Sequence, residues 1–292
     1  MNTVLSIDRP SGEVSTEEMN KLINLDQYPI DRLDNKAGQL LVAQCRSDLD
    51  DWAAAMLPKF VRQAAITKMA EEAESLVQVA HRYDGDRVTF YEEDDKGCSD
   101  DGSLDSAVRS VRHPNRYCQI LNYQIPNHSD LRAIYLWPPL TEFIRQVLNV
   151  EQLFLSQCPH LALTMKVAYE GDTDGWHYDP NDGVITLVLQ AADSGGEFEY
   201  APNIRNNNDQ NYAGVDRLFK SPDVEATRPI LEPGTFTFFN GRHSMHRVRP
   251  VGSTRQPRIV SIFSFDQRPD HFFAQSYIDK LRRFPQGPPI VD

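Results

Sequence analysis

Residues 234–266 read GTFTFFNGRHSMHRVRPVGSTRQPRIVSIFSFD, and this stretch decides the fold class. It holds three short runs of strand character, GTFTFFNG, HRVRPV and RIVSIFSFD, separated by Gly, Pro, Asn and Ser residues that favour turns. Four similar runs precede it: FLSQ at 154–157, HLALTMKVAYE at 160–170, GVITLVLQ at 183–190 and GEFEYAP at 196–202. Short strands in such close succession predict a β-sandwich or barrel in the second half of the chain.

The first part of the chain has the periodicity of helices instead. Residues 47–83 place apolar side chains at helical spacing, and Pro58 predicts either two helices or one kinked helix there. A strand is predicted at 117–125 and a further helix at 131–150, with Ser129 or Asp130 as its N-cap. A polar insertion at 203–223 predicts a short helix at its end, and the acidic run at 92–105 is typical of a solvated loop.

These patterns predict a single α+β domain over residues 1–292, because no segment has the composition of a linker. Its helical N-terminal portion, 1–110, is expected to pack on a core formed by 111–292. Most of the flanking helices therefore precede the strands.

Composition excludes several classes of partner. Lys+Arg number 30 against 42 Asp+Glu, which gives a net charge of −12 and argues against binding to duplex nucleic acid or to an anionic membrane surface. No apolar stretch has the length of a membrane span, and the N-terminus does not resemble a secretory signal. Four cysteines without a CxxC pair favour free thiols in a reducing compartment. We expect a cytoplasmic protein with a small-molecule partner.

Two His-x-Asp pairs are candidates for metal ligation. The pair at 128–130 directly precedes a predicted helix, where serine and aspartate commonly act as caps. His177 and Asp179 lie between two strand-like runs, and residues i and i+2 of an extended chain point to the same side. A third ligand is available from either His243 or His246, which point to opposite faces of a strand, so that only one of them can contribute.

Two histidines and one carboxylate form the facial triad of non-haem Fe(II) oxygenases, which leaves half of an octahedron open. Iron that chelates an oxoacid and still accepts dioxygen can take no more than three protein ligands. An oxoacid with a second carboxylate also needs a cation, and arginine binds carboxylates through two parallel hydrogen bonds. Arg255 and Arg258 follow the candidate histidines closely and are the candidates for this cation.

His177-Tyr-Asp179, His246-Arg-Val and Arg258 at the head of a strand resemble the iron- and 2-oxoglutarate-dependent dioxygenases. GWHYDPNDGVITLVLQ at 175–190, GGEFEYAPNIR at 195–205 and HRVRPV at 246–251 are most similar to a branch of hydroxylases and halogenases of free amino acids. The resemblance extends over residues 116–269. It implies a double-stranded β-helix, or jelly roll, that uses Fe(II), 2-oxoglutarate and O2.

The resemblance also implies roles for single residues. His177, Asp179 and His246 become the iron ligands and catalytic centre. Arg258 becomes the anchor of the distal 2-oxoglutarate carboxylate, with Arg255 as the alternative because this sequence has an extra residue before the strand. Tyr169, at the end of the preceding strand, is a candidate hydrogen-bond donor to the cosubstrate.

The halogenating members lack the metal-binding carboxylate, so Asp179 implies a member that does not halogenate. The expected reaction is hydroxylation of an unactivated C–H bond, or desaturation or ring closure, coupled to formation of succinate and CO2. Two alternatives remain open: a metal-binding jelly roll without catalysis, and a zinc hydrolase with the same ligands. Arg258 argues against both, because neither requires a buried arginine near the ion.

The predicted substrate is a free amino acid with a small or apolar side chain. Alternation places Val260 and Ile262 on the same face as Arg258, so these branched side chains would line the cavity. Three further residues are assigned to the substrate: Arg116 to its carboxylate, Asp174 to its ammonium group and Trp176 to the wall of its pocket.

Overall fold

The computed structural model describes residues 14–90, 104–179, 184–270 and 273–289. The helices are α1 (Thr16–Asn20), α2 (Lys36–Trp52), α3 (Gln63–Leu76), α4 (Leu104–Ser110), α5 (Asp130–Leu136), α6 (Pro138–Val147), α7 (Tyr212–Lys220), α8 (Pro222–Glu225) and α9 (Gln275–Arg282). The strands are β1 (Ala54–Leu57), β2 (His81–Val88), β3 (Arg112–Ile120), β4 (Phe154–Leu155), β5 (Leu163–Ala168), β6 (Thr173–His177), β7 (Val184–Gln190), β8 (Phe198–Ala201), β9 (Phe236–Phe239), β10 (Met245–Val248), β11 (Arg258–Phe263) and β12 (Phe265–Asp266).

Ten of these strands form one antiparallel sheet that curls on itself. The order is β1-β9-β7-β11-β5-β3-β6-β10-β8, with β2 on the free edge of β3. Strand β3 joins a large layer, formed by β1-β9-β7-β11-β5, to a small layer, formed by β6-β10-β8. Cys118 and Ile120 pair with β5, whereas Asn115 and Arg116 pair with β6. The ring of Phe198 on β8 lies 5.1 Å from the ring of Phe239 on β9, although these strands are far apart in the order. The predicted jelly-roll core within an α+β fold is therefore confirmed.

The large layer has one face toward helices and the other toward the interior of the roll. On β11, Ile259 and Phe263 belong to the main hydrophobic core, whereas Arg258, Val260 and Ile262 face an internal cavity. The neighbouring strands alternate in the same way. Because the side-chain period of a strand is two residues, each strand supplies both the core and the cavity.

Helices α2, α3, α5 and α6 cover the outer face of this layer. Their buried residues, such as Ile66 and Phe143, join those of the strands in one core. Phe143 packs edge-to-face on Phe238, with ring centroids 5.5 Å apart. Each such fully buried aromatic or branched side chain stabilises the fold by about 1.5–3 kcal/mol. This packing fixes the sheet from which the cavity is built.

The N-terminal portion is less helical than its periodicity predicts. Two helices do flank Pro58, but residues 54–57 between them form β1, which pairs with β9. Ala53 ends α2 in the left-handed conformation, with φ at 57°. The strand satisfies the backbone groups at an edge of the sheet, and this long-range gain outweighs local helix propensity. Likewise, the predicted helix is wrong from His81 onward, where β2 pairs with β3.

The predicted helix at 131–150 is divided at Trp137, because Pro138 begins α6 and cannot continue α5. Most of the acidic run at 92–105, with Cys98, lies outside the described residues. Cys45, Cys118 and Cys158 are buried free thiols. Across the described ranges, no helix has both the length and the apolar character needed to cross a bilayer.

Candidate metal centre

His177, Asp179 and His246 meet at one end of the cavity. His177 ends β6 and is paired directly with His246 on β10, which brings their ring centroids to 4.0 Å. Asp179 Oδ2 lies 3.4 Å from His246 Nε2, and Asp179 Oδ1 lies 3.9 Å from His177 Nε2. One potential ligand atom from each residue lies within 4.8 Å of the others. Such a spacing allows all three side chains to bind one ion.

The hydrogen bonds of the two imidazoles leave Nε2 available on both rings. His177 Nδ1 lies 2.7 Å from the carbonyl oxygen of Gly175, and His246 Nδ1 lies 3.0 Å from that of Ser244. Because a carbonyl only accepts, Nδ1 carries the proton and Nε2 has a free lone pair. Burial lowers the pKa of His177 well below its ordinary value and also lowers that of His246. Both rings are therefore neutral, as metal ligation requires.

The environment of the Asp179 carboxylate shows that the three residues fit a metal ion. Its backbone N–H donates to the carbonyl of Gly241, 3.0 Å away, and its Oδ2 is buried without a hydrogen-bond partner in the described part of the chain. A Cβ on Gly241 would lie 1.8 Å from this oxygen, so only glycine leaves room for the carboxylate. A buried carboxylate oxygen needs a compensating charge or donor. The two imidazoles and this oxygen are a donor set that fits Fe(II).

His243 is not part of this group. Its Nε2 lies 3.1 Å from Asn207 Oδ1, on the loop that follows β8. The expected placement of both histidines on one strand is not observed, because β10 begins at Met245: His246 is on the strand and faces inward, whereas His243 lies in the preceding turn. Of the two histidines that the sequence left open, the structure brings His246 to the pair.

Arg258 extends into the same cavity, which has a volume of about 110 Å³. The guanidinium is half-buried, and burial lowers the pKa of Arg258 to about 10. Among the residues with described positions, none forms a hydrogen bond or ion pair with it. Because a buried cation without a partner is costly, this position fits a ligand that carries a carboxylate.

Arg255 and Tyr169 are not brought to the cavity. The Arg255 side chain is 91% exposed and pairs with Asp193 at 3.0 Å. Tyr169 packs against the main core, and burial raises the pKa of its hydroxyl to about 12. Because Arg255 lies on a surface turn before β11, the geometry favours Arg258 as the cation near the metal centre.

Asp174 faces the cavity because β6 contains a bulge. His177 pairs with His246 and Asp174 with Val248, so three residue steps on β6 match two on β10. The Asp174 carboxylate accepts from Lys166 Nζ at 2.5 Å and from Arg87 Nη1 at 2.8 Å. Burial would raise the pKa of Asp174, but Lys166, His177 and Arg87 lower it well below its ordinary value. Two cations thus already contact the oxygens of Asp174, and its assignment to a substrate ammonium stays a prediction.

Trp176 lies on the opposite face of β6. It packs in a second cluster with Tyr178 and Met245, and the Arg247 guanidinium stands 4.6 Å from its ring centroid. The structure does not bring Trp176 to the cavity, because its side chain is on the face of β6 that is turned away from the metal centre. Its packing in this cluster holds β6 in place from the face opposite the metal centre.

The other residues assigned to the substrate do line the cavity. Val260 and Ile262 form part of its apolar wall. Arg116 Nη2 donates to the carbonyl of Gly171 at 3.3 Å, and its buried Nε has no partner in the described chain. The residues described here include no carboxylate within ion-pair distance of Arg116.

Lys166 is a cavity residue that sequence reasoning missed. It lies on β5 and its ammonium stands 4.3 Å from the ring centroid of Tyr117. A lysine within the apolar run HLALTMKVAYE was the available indication, because a charge on a buried strand needs a specific environment.

Comparisons with known proteins agree with this geometry. The family model described as Halogenase D matches residues 100–277, which is more than half of the chain. No curated protein sequence matches the chain.

Solved structures similar to this chain include two from nogalamycin biosynthesis. One is the non-heme alpha ketoglutarate dependent carbocyclase SnoK, with 12% identity, a TM-score of 0.51 and coverage of 85% of this chain and 93% of SnoK. The other is the epimerase SnoN in complex with Fe³⁺, alpha ketoglutarate and nogalamycin RO. It has 12% identity, a TM-score of 0.51 and coverage of 87% of this chain and 97% of SnoN. A third similar structure is that of AviO1 from Streptomyces viridochromogenes Tue57, with 12% identity, a TM-score of 0.51 and coverage of 80% of this chain and 97% of AviO1. At this identity the likeness shows the fold.

Proposed function

The chain belongs to the family described as Halogenase D, and from this premise we propose that it oxidises a C–H bond of a free amino acid with a small or apolar side chain. The family match and the fold confirm the predicted superfamily of Fe(II)- and 2-oxoglutarate-dependent oxygenases. The enzyme is an oxidoreductase of this superfamily, with Fe(II), 2-oxoglutarate and O2 as its cofactor and cosubstrates.

One observation carries this function: a facial set of two imidazoles and a carboxylate shares a cavity with a half-buried arginine that has no described partner. A zinc hydrolase needs the three ligands but no cation of this kind. A metal-binding protein without catalysis needs neither an open coordination position nor an anion site. A cosubstrate that chelates the metal and carries a distal carboxylate uses both features.

Each residue has a defined task in this proposal. His177 and His246 bind Fe(II) through Nε2, and Asp179 binds it through a carboxylate oxygen. Fe(II), when bound, supplies the oxidative chemistry that couples 2-oxoglutarate decarboxylation to C–H oxidation. Arg258 holds the distal carboxylate of 2-oxoglutarate through charge-assisted hydrogen bonds.

The cavity walls position the amino acid. Arg116 binds its carboxylate, for which its Nε is suited, because this atom is buried and has no hydrogen-bond partner among the described residues. Val260 and Ile262 exclude water and contact an aliphatic side chain, because a second charged group would lose its hydration there without a partner. Asp174 is committed to Lys166 and Arg87, so recognition rests on the carboxylate and the side chain.

The family description names halogenation, but Asp179 favours a different outcome. Halogenating relatives leave the position of this carboxylate vacant for the halide. Here Gly241 makes room for the carboxylate itself, so we propose hydroxylation, desaturation or ring closure.

A turnover screen tests the proposal. The protein is incubated with Fe(II), ascorbate, 2-oxoglutarate, chloride and single amino acids: valine, isoleucine, leucine, lysine, arginine and aspartate. We expect succinate formation that depends on an aliphatic amino acid, and a product mass changed by one oxygen or by loss of two hydrogens. A chlorinated product would contradict the reaction, and turnover of charged amino acids alone would contradict the substrate class.

A second measurement separates oxygenase from hydrolase. Anaerobic addition of Fe(II) and 2-oxoglutarate should give a weak visible band at roughly 500 nm, whereas the d¹⁰ zinc ion gives none. If Fe(II) and 2-oxoglutarate produce no band, the cosubstrate does not chelate the metal and the proposed function fails.

A further inference from the structure

Lys166 lines the cavity, and its neighbours among the described residues use only part of its hydrogen-bonding capacity. Its side chain is 19% exposed, and its Nζ donates to Asp174 at 2.5 Å. An ammonium group has three N–H donors. The face of Tyr117, 4.3 Å away, contacts the cation but does not occupy the remaining donors with an oxygen. Donors of Lys166 thus remain for a ligand in the cavity.

Lys166 and Arg258 are diagonal neighbours on adjoining strands. In the β5–β11 ladder, Arg258 stands opposite Ala168, and Lys166 stands opposite Val260. Diagonal positions on one face of a sheet have Cα atoms about 7–8 Å apart, which long side chains easily span. Ala168 is opposite Arg258 and is two residues from Lys166 on the same face of β5, and its methyl group leaves space for both cations to approach one ligand.

We infer that Lys166 is a second anchor for the distal carboxylate of the 2-oxoacid cosubstrate, together with Arg258. This inference rests on the proposed function, because it assigns a further contact to the same cosubstrate. Two cations on one carboxylate give it both charge compensation and a fixed orientation between β5 and β11. Asp174 is then a positioning residue, since it holds the ammonium over Tyr117.

Two other roles for Lys166 predict different measurements. If Lys166 binds the carboxylate of the oxidised substrate, its loss raises the KM for that substrate and leaves 2-oxoglutarate binding unchanged. If Lys166 serves only the ion pair with Asp174, its loss lowers the stability of the fold and changes the affinity neither for the substrate nor for 2-oxoglutarate. Either result would overturn the inference.

The experiment compares two oxoacids in the protein loaded anaerobically with Fe(II). 2-Oxoglutarate and 2-oxopentanoate chelate iron through the same oxo-carboxylate group, but only 2-oxoglutarate has a distal carboxylate. Their dissociation constants are measured from the visible band for wild type, Lys166→Met and Lys166→Arg. Lys220→Met is the matched control, because Lys220 forms an exposed ion pair with Asp216 at 2.8 Å.

We expect Lys166→Met to weaken 2-oxoglutarate binding about 10- to 100-fold, the range for one charge-assisted hydrogen bond. Binding of 2-oxopentanoate should stay unchanged, and Lys166→Arg should recover most of the affinity for 2-oxoglutarate. Equal losses for both oxoacids, or no loss for either, would contradict the inference.

Folding of the variants is followed by circular dichroism and thermal unfolding. If Lys166→Met does not fold, the double variant with Asp174→Asn removes the carboxylate left without its lysine and is tested against Asp174→Asn alone. If wild type binds no 2-oxoglutarate, the proposed function fails and this inference with it. If wild type binds it and the folded lysine variants bind it equally well, only the inference fails.

Discussion

Replacing Arg258 with methionine should stabilise the ligand-free protein while it removes the cosubstrate site. Methionine has nearly the length of the arginine stem, which lies beside Gly196, and it carries no charge. In the folded protein, burial lowers the pKa of Arg258 to about 10. A base with a folded-state pKa below its unfolded value opposes folding at every pH at which it is charged, including neutral pH.

The size of this stabilisation follows from how far the pKa of Arg258 is lowered. It corresponds to on the order of 3 kcal/mol, and this is an upper limit because water still reaches part of the half-buried guanidinium. One kcal/mol shifts the unfolding midpoint of a protein of this size by about 2 °C. We therefore expect the Arg258→Met variant to melt up to several degrees above wild type when no 2-oxoglutarate is present.

The ligand should reduce or remove this difference. At a concentration 100 times its Kd, a ligand that binds only the folded state stabilises it by about 2.7 kcal/mol. Thermal unfolding is measured with Zn²⁺, with and without 2-oxoglutarate, for wild type and variant. 2-Oxoglutarate should raise the midpoint of wild type by several degrees and that of Arg258→Met by much less.

Arg255→Met is the matched control, because Arg255 is exposed and pairs with Asp193 on the surface. It should melt close to wild type and respond to 2-oxoglutarate as wild type does. If Arg258→Met instead melts well below wild type without ligand, the guanidinium has a stabilising partner and the reasoning fails. If 2-oxoglutarate still stabilises Arg258→Met fully, the anchor lies elsewhere.

Two further predictions concern the metal centre. His246→Ala should lose Fe(II) binding and turnover, whereas His243→Ala should keep most of both; metal analysis after anaerobic loading decides, and the opposite pattern would reverse the assignment. Gly241→Ala should weaken Fe(II) binding, because the added Cβ would lie 1.8 Å from the Asp179 carboxylate oxygen. Gly85→Ala is its control, since the nearest atom to that Cβ is 3.9 Å away, and equal iron affinity in both variants would show that the carboxylate moves freely.

The His177–Asp179 pair of the metal triad was predictable because its geometry is local, whereas His246 was chosen over His243 from the resemblance to the family. His177 and Asp179 are two residues apart in an extended segment, so their convergence needs no knowledge of the fold. The inward set of Arg258, Val260 and Ile262 follows from the same period, because β11 runs without a bulge through these positions opposite β5. Where a strand is regular, the sequence alone shows which side chains share a face.

Strands β1 and β2 were not predictable in this way. Ala54–Leu57 continues a helical pattern, and only its pairing with β9 makes the extended form favourable. The register that brings β9 to this segment is set by residues far along the chain. A local pattern contains no information about such an edge, so the N-terminal portion was expected to be more helical than it is.

The positions of Asp174 and Trp176 on β6 do not both follow from strict alternation. Strict alternation from His177 would turn both Asp174 and Trp176 away from the metal, yet the bulge brings Asp174 inward and leaves Trp176 outward. Gly175 permits this path, because a Cβ there would lie 2.4 Å from His113 Cβ on the adjoining strand. A glycine inside a strand commonly marks a bulge or a close backbone approach, so this one, two residues before the metal histidine, was the available indication that parity changes here. The extra residue also places the Gly175 carbonyl where it accepts the His177 Nδ1 proton, so the irregularity that defeats alternation is the one that orients the ligand.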